Sequence, residues 1–222
     1  MSGNHSNLIH LPMIVDIHTH THSSEFKNYP AIRNLTFVEA GKIFASDTEG
    51  LFSVGFHPWH ADEFSEDLQN KLTAWSSDPR FIAIGECGLD KNSKVSFEVQ
   101  SRVFEFQVAL SEKACKPMII HCVGRFNELL ELKKKLNPHQ QWIIHGFRGK
   151  PELAKQVLTS GCALSFGEHF NPESVSLTPT DRLFIETDES TLPISDIYNS
   201  ISFIKNCLPD ELNAGENLLK QL

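Results

Sequence analysis

The feature that most constrains the fold is an alternation of short apolar runs with amphipathic stretches, without an internal repeat. Most of the runs are continuously hydrophobic, as expected for the strands of a parallel sheet that helices cover. The candidate strands are Met13–Asp16, Ile32–Phe37, Leu51–Gly55, Phe81–Glu86, Met118–His121, Trp142–His145, Cys162–Phe166 and Leu183–Glu186. Eight strands in this alternation predict an α/β protein with a TIM-type (β/α) barrel.

The stretches between the runs carry apolar residues at helical spacing. The expected helices are about Ser96–Cys115, Phe126–Leu136, Pro151–Ser160, Ser195–Cys207 and Pro209–Leu222. The run Lys133-Lys134-Lys135 falls on the outer face of the second of these helices. Because such a run is usually solvated, it does not by itself indicate a DNA-binding surface.

Length and composition bound the class of protein. The 222 residues are expected to form one domain, 1–222, since α/β barrels often exceed 200 residues undivided. The chain lacks a run of about 18 apolar residues, and Met1–Leu11 is polar, so neither a membrane span nor a signal peptide is predicted. Five scattered cysteines without a Cys-x-x-Cys pair indicate reduced thiols. We therefore expect a cytoplasmic protein, with no membrane association and no obligate protein partner.

Polar side chains that can bind metal ions follow five of the predicted strands. They are Asp16, His18 and His20, then Glu86, His121, His145, and Glu186 with Asp188. For any one histidine, a core residue bonded to the backbone is the commoner explanation. Five strand ends that agree are harder to assign to chance, and in a barrel these ends converge. Four histidines and two carboxylates would then meet in one pocket.

Six such ligands exceed the three that a catalytic tetrahedral ion takes from the protein. Two divalent ions about 3.5–4 Å apart, bridged by a carboxylate, would use all of them, and Glu86 is the natural bridge. The mixed imidazole and carboxylate set favours zinc, manganese, iron or nickel over a magnesium site built only of oxygen, without deciding among these metals. The implied chemistry is metal-assisted hydrolysis.

The ordered motifs resemble those of the TatD family of metal-dependent deoxyribonucleases, in the amidohydrolase superfamily. The resemblance runs from residue 13 to about 190. The motifs are Asp16-x-His18-x-His20, Gly55-Phe56-His57-Pro58, Ala83-Ile84-Gly85-Glu86-Cys87-Gly88-Leu89-Asp90, Gln100 with Phe104 and Gln107, Pro117-x-x-x-His121, His145-Gly146-Phe147-x-Gly149 and Glu186-Thr187-Asp188.

The resemblance implies a ligand set for two metal ions. His18 and His20 would bind the first ion together with Asp188. His121 and His145 would bind the second, with Glu86 bridging both. By similarity Asp188 would also take a proton from the attacking water, which makes Glu86 and Asp188 the expected catalytic residues.

Other residues take supporting roles in the same comparison. His57 stands where the family has a phosphate-contacting histidine, although a packing residue before Pro58 is the alternative. Asp16 and Asp90 resemble residues that support metal-bound histidines. Gln100 and Gln107 are read as helix residues that face a neighbour, and Glu186 is equally a structural ion-pair partner or a site residue.

The chain also departs from the family pattern. Only one weak strand and one short helix fit between Asp16 and His57, which predicts a trimmed or distorted β-α unit. Val123 stands where the family has an arginine after the strand-end histidine, and Arg125 follows later. Arg148 replaces a small polar residue and could supply a substitute phosphate contact. Arg125 and Arg148 are therefore candidate substrate contacts.

Three functions remain open at this point. The leading expectation is a two-metal nuclease acting on DNA, on single strands or strand ends because the protein is acidic, with a net charge of −8. A second hypothesis keeps the metals but has a small-molecule ester, lactone or amide as substrate, since one fold hosts many reactions. A third is a metal-binding or interaction module that has lost catalysis, although the retention of Asp188 argues against it.

Overall fold

Eight parallel strands form one sheet in chain order in the computed structural model, which describes residues 14–21 and 29–222. The strands are β1 Asp16–Thr19, β2 Ala31–Leu35, β3 Leu51–Val54, β4 Phe81–Asp90, β5 Met118–Val123, β6 Trp142–Ile144, β7 Ala163–Phe166 and β8 Leu183–Ile185. The helices are α1 Phe37–Ile43, α2 Glu66–Trp75, α3 Phe97–Ala114, α4 Phe126–Leu136, α5 Pro151–Thr159, α6 Pro172–Leu177, α7 Ile194–Lys205 and α8 Ala214–Gln221. The predicted TIM-type barrel is confirmed.

The first and last strands meet through backbone pairing just beyond β8. A parallel bridge pairs Thr19 with Asp188. The amide of Asp188 donates to the carbonyl of His18 at 2.9 Å, and the amide of His20 donates to the carbonyl of Asp188 at 3.1 Å. This seam lies at the carboxyl end of the strands, where the predicted ligands are.

The region between Asp16 and His57, where a trimmed or distorted β-α unit is predicted, retains its strand, because β2 pairs in parallel with both β1 and β3. The single weak strand and short helix anticipated in this region correspond to β2 and α1. The short connection is the one between Thr19 and Ala31. Residues 22–28 of it lie outside the described part, as do Met13 at the predicted start of β1 and the predicted polar segment Met1–Leu11.

Local signals account for where most helices begin and end. Ser65 and Ser96 accept a backbone N–H at the start of α2 and α3. Residues in the left-handed conformation follow α3, α4 and α7. The predicted helix over Pro209–Leu222 is wrong in detail: a 3₁₀ turn, Pro209–Glu211, precedes α8, because Leu212 between them has a non-helical ψ of 64°. Within the described ranges, no helix is both long and apolar enough to cross a membrane.

Helix α8 packs against β8 and against the residues that lead into and form β1. Its Leu218 clusters with Val15, Ile17 and Phe184, all buried. Gly215 allows this close contact, because a Cβ there would lie only 3.0 Å from Cβ of Val15. The larger apolar cluster lies between the strands and the outer helices. The polar side chains at the carboxyl ends of the strands are thus set on a filled core.

The lysine run on α4 is not uniformly solvated. Lys134 and Lys135 are exposed, as expected. The expectation is wrong for Lys133, which is partly buried with its Nζ 4.7 Å from the ring centroid of Trp142. Burial lowers the pKa of this lysine. The ammonium group of Lys133 therefore lies over the buried indole of Trp142 in a cation–π contact.

Candidate metal centre

The carboxylate of Glu86 lies at the centre of the site, within β4. Its Oε1 is 2.8 Å from Nε2 of His145, 2.9 Å from Nδ1 of His121 and 3.3 Å from Nε2 of His57. Its Oε2 faces the other direction, toward the end of β1. One buried carboxylate thus contacts imidazoles from β5, β6 and the end of β3.

The end of β1 supplies the remaining imidazoles. Oε2 of Glu86 is 3.4 Å from Nε2 of His20 and 3.7 Å from Nε2 of His18. Oδ1 of Asp188 is 3.6 Å from the same nitrogen of His20 and 3.8 Å from that of His18. The six candidate ligands from the sequence therefore lie together. We call His18, His20 and Asp188 the β1–β8 side, and His57, Asp90 and His121 the β3–β5 side.

Three overlapping groups have ligand atoms within 4.8 Å of one another. They are His18, His20 and Glu86; His18, His145 and Asp188; and His57, Glu86 and His121. The sequence expectation paired His145 with His121 and kept His57 for substrate. In the structure His145 also groups with His18 and Asp188 of the β1–β8 side. Nε2 of His57 lies 3.3 Å from Oε1 of Glu86, close to the proposed ligands.

His18 tests whether these residues fit a metal ion. Its side chain is fully buried, and neither Nδ1 nor Nε2 has a hydrogen-bond partner among the described residues. An unpaired buried polar group is costly, and buried side-chain nitrogens nearly always have a partner. An ion held by imidazole nitrogen and carboxylate oxygen would satisfy His18, and the donor set suits zinc or a similar transition metal.

Electrostatics favour the metal-binding forms of Glu86 and His18. Burial opposes ionisation of Glu86, but His145, His121 and His20 hold the pKa of its carboxyl well below the usual range. Burial, reinforced by His145, lowers the pKa of His18 to about 3. His18 is therefore neutral, and Glu86 is ionised, which are the forms that bind metal ions.

The pKa values of two further ionisable groups, His145 and Asp188, are also shifted. Burial acts to lower the pKa of His145, but the charges of Glu86 and Glu186 raise it well above its usual value. Burial raises the pKa of the Asp188 carboxyl. Glu186 itself is fully buried; its Oε1 accepts from the Gly146 amide and lies 3.4 Å from Nδ1 of His145. Glu186 thus contacts the ring of a candidate ligand as well as the backbone beside it.

Asp90 holds His121 in place, as the sequence suggested. Its Oδ2 accepts from Nε2 of His121 at 3.0 Å and from Nε1 of Trp59 at 2.7 Å, while Oδ1 accepts from the Asn92 amide. Gln100 bonds the backbone of Asp90 in turn. Sequence reasoning missed Trp59, although it directly follows His57-Pro58.

Asp16 bonds the backbone on both sides of the seam between β1 and β8. It is buried, and its carboxylate accepts from the amide of Thr187 at 3.0 Å and from the hydroxyl of Thr187 at 2.6 Å. It also accepts from the His18 amide at 3.3 Å, so it contacts the backbone of this candidate ligand. Asp16 thus fixes the turn before Asp188, whose left-handed φ of 54° directs the chain back across the seam.

Two amides brace the strands that present Glu86 and His57. Asn34 Oδ1 accepts from the Glu86 amide at 2.7 Å, a role that the pattern of this weak strand does not indicate. Gln107 bonds both backbone groups of Phe56. Gly55 is required beside it, because a Cβ would lie 2.8 Å from Oε1 of Gln107.

The two candidate substrate arginines differ in their surroundings. Arg148 is exposed and lines a cavity of about 370 Å³ beside Asp188, together with His169. Arg125 instead donates to Glu128 at 2.7 Å, and its guanidinium lies 5.1 Å from the ring centroid of Phe97. Arg148 is thus open toward the site, whereas Arg125 holds the start of α4.

Comparisons with known proteins give one family. The family model described as TatD related DNase matches residues 33–207. The 3'-5' ssDNA/RNA exonuclease TatD of Erwinia tasmaniensis is 33% identical over 148 residues, which are 61% of this chain and 56% of that protein. The match therefore spans little more than half of that relative. The protein of the same description from Pantoea ananatis is 32% identical over 186 residues, 75% of this chain and 71% of that one.

A solved structure supports the fold alone. YJJV, a TATD homologue from Escherichia coli, superposes with a TM-score of 0.77 at 18% identity. The superposition covers 92% of this chain and 95% of the YJJV chain. The eight-stranded barrel thus has a close structural counterpart of similar extent.

Proposed function

Since this chain belongs to the TatD-related DNase family, we propose that it is a two-metal phosphodiesterase that hydrolyses DNA. The observation that carries the proposal is the single carboxylate of Glu86 facing five imidazoles, with neither nitrogen of buried His18 hydrogen-bonded to a described residue. The Erwinia and Pantoea relatives are described as acting on single-stranded DNA and RNA. We propose single strands or strand ends as the substrate.

We assign six residues to the two ions. His18, His20 and Asp188 would hold one ion, His121 and His145 the other, and Glu86 both. Bound divalent ions would supply Lewis acidity, a lowered pKa for water and neutralisation of charge on the phosphoryl oxygens. The metals would be zinc, manganese, magnesium, iron or nickel.

Asp188 is the proposed proton acceptor. Its carboxylate is about one-quarter exposed, so water can reach it, and burial of the rest raises its pKa. A raised pKa makes a carboxylate a stronger base near neutral pH. Asp16 and the backbone bonds to β1 hold this base beside His18 and His20.

We propose that His57 donates to a phosphate oxygen. Its Nδ1 accepts the amide of Trp59 at 3.1 Å, so the neutral ring carries its proton on Nε2. A protonated Nε2 is a hydrogen-bond donor and not a metal ligand, which separates His57 from the other imidazoles. Arg148 is the second proposed phosphate contact, because its exposed guanidinium borders the cavity beside Asp188.

A small-molecule ester, lactone or amide is the second candidate substrate. A substrate without phosphate is favoured if few phosphate contacts are available. Arg125 is engaged with Glu128 and Phe97, which leaves Arg148 as the better placed of the two candidate arginines to meet a phosphate. A catalytically inactive metal-binding module is the third candidate.

We further propose that residues 1–222 act as one hydrolase domain, and the five free thiols support a cytoplasmic location.

The deciding experiment measures degradation of labelled single-stranded DNA by the purified chain with manganese, magnesium or zinc. Two metal ions per chain are expected in elemental analysis. Asp188→Asn should lower the rate about 10²–10⁴-fold, the usual contribution of a general base. Asp181→Asn, an exposed aspartate away from the site, is the matched control.

Three outcomes would contradict the nuclease assignment. One is equal activity of Asp188→Asn and the unaltered chain. Another is turnover of esters or lactones by a metal-loaded protein that leaves DNA and RNA intact, which would favour the second candidate. The last is a protein that binds two ions but hydrolyses none of these substrates, which would favour the third candidate.

A further inference from the structure

Trp59 presents an open aromatic surface at the rim of the candidate metal centre. The residue follows His57-Pro58 and is 57% exposed, although it is one of the largest apolar side chains. Its ring centroid lies 5.3 Å from that of His57, in a perpendicular arrangement. Nε2 of His57 is in turn 3.3 Å from Glu86. The indole is therefore one ring removed from the central carboxylate.

The indole is fixed in place despite its exposure. Nε1 donates to Oδ2 of Asp90 at 2.7 Å, and the backbone amide donates to Nδ1 of His57. A single exposed apolar residue needs no special explanation. An exposed tryptophan whose ring is held by a buried carboxylate is different, because an aromatic surface that is already oriented loses little entropy on binding. Such surfaces favour flat aromatic ligands.

We propose that Trp59 stacks on the nucleobase of the nucleotide next to the scissile phosphate. This inference rests on the proposed nuclease function and adds the recognition of the base to it. Stacking tolerates any sequence, because every base has a π-face. It also requires a base whose face is free, as in single strands and at frayed ends, whereas bases inside a duplex are stacked on their neighbours. Trp59 therefore gives the site a physical reason to prefer single strands.

The first test compares two DNA substrates that differ only in the base of the nucleotide beside the cleaved bond, which is present or replaced by an abasic analogue. On the base-bearing strand, Trp59→Ala should raise KM about 5- to 150-fold, the range measured for base–aromatic stacking. On the abasic strand the same substitution should change KM much less. Trp59→Phe keeps a ring but loses the donor to Asp90, and it should retain most of the discrimination between the two strands.

A binding measurement gives an independent readout. Tryptophan fluorescence of the metal-loaded protein should be quenched by a short phosphorothioate oligonucleotide that resists cleavage. Trp59→Phe should lose most of the quenching. Trp75→Phe is the matched control and should keep it, since Trp75 lies at the end of α2 and packs against Phe37 and Phe44.

The outcomes separate the two proposals. Cleavage by the unaltered chain, with Trp59→Ala and Trp59→Phe equally impaired on both strands, would overturn stacking and leave Trp59 as a support for Asp90 only. Unchanged KM in Trp59→Ala would also overturn it while the nuclease assignment stands. An unaltered, metal-loaded chain that neither cleaves nor binds any nucleic acid would overturn both proposals.

Discussion

The two sides of the candidate metal centre differ in how well the protein itself satisfies their polar groups. On the β3–β5 side, His121 bonds Glu86 and Asp90 at 2.9 and 3.0 Å, and Asp90 bonds Trp59 at 2.7 Å. On the β1–β8 side, the corresponding distances are 3.4–3.8 Å, and His18 lacks hydrogen-bond partners in the described part of the chain. Short hydrogen bonds hold the side chains of the β3–β5 side, whereas the side chains of the β1–β8 side lie close together at longer distances.

This difference indicates where a bound ion contributes most to the folded state. An ion near His121 would replace hydrogen bonds that the chain already makes. An ion near His18 and Asp188 would satisfy groups that otherwise remain unpaired. Because binding free energy adds to the stability of the folded state, we expect metal to stabilise the β1–β8 side more. Substitutions on the two sides should therefore have different consequences.

The largest expected contrast is between His18→Leu and His121→Leu in the presence of a chelator. Leucine at 18 removes two unpaired buried nitrogens, so the free energy of unfolding should stay the same or rise by about 1 kcal/mol. Leucine at 121 breaks two hydrogen bonds to carboxylates, and the free energy of unfolding should fall by about 3 kcal/mol. Urea unfolding followed by circular dichroism measures both.

Saturating metal provides the control for this pair. Each variant has then lost a proposed ligand, so metal should stabilise both less than it stabilises the unaltered chain. Equal losses of stability for the two variants in chelator would show that the two sides are equally satisfied, and the comparison would fail.

The next effect concerns the support of His121. Asp90→Asn cannot accept from both His121 and Trp59 while also accepting from the Asn92 amide. We expect about a 10- to 100-fold loss of affinity at the second metal site, typical when a carboxylate behind a metal-bound histidine is removed. Competition with a chromophoric chelator measures the two sites. Asp62→Asn, which is exposed, is the control, and equal weakening of both sites would contradict the separation of the two sides.

The smallest effect is expected outside the ligands. Arg148→Ala should raise KM for single-stranded DNA about tenfold with kcat nearly unchanged, since one charge-assisted hydrogen bond to phosphate is lost. The salt dependence of KM should weaken as well. Arg125→Ala is the matched comparison, and its KM should change little because Arg125 is already paired with Glu128. The reverse result would exchange the roles of the two arginines.

Sequence reasoning found the features that depend on local pattern. The continuous apolar runs predict the strands, and the residue that follows each run is placed at the carboxyl end by the architecture alone. The apolar run that starts at Phe81 predicts an end of β4 at Glu86. In the structure the strand continues to Asp90, and its register with β5 shifts between Ile84 and Cys87. Gly88 allows this continuation, because a side chain there would overlap the backbone of His121.

Features that depend on side chains meeting across the fold were not predictable in this way. Asn34 lies in a weak strand, and nothing nearby in sequence shows that its amide reaches Glu86. Lys133 belongs to a run that usually indicates solvent, but its position over Trp142 is set by the packing of α4. The signal for Trp59 is a large apolar residue just after a strand-end histidine. Its importance depends on its exposure, which hydrophobic periodicity does not report.

The seam between β1 and β8 also has a consequence for the order in which the chain gains activity. Thr19 and Asp188 are 169 residues apart in sequence, so the histidines at the end of β1 are synthesised well before their carboxylate partner. Contacts of such separation form slowly, because a long loop must close first. A partly synthesised chain thus has the proposed metal ligands of β1 without the proposed base, and the proposed hydrolytic site is complete only when the last strand docks and closes the barrel.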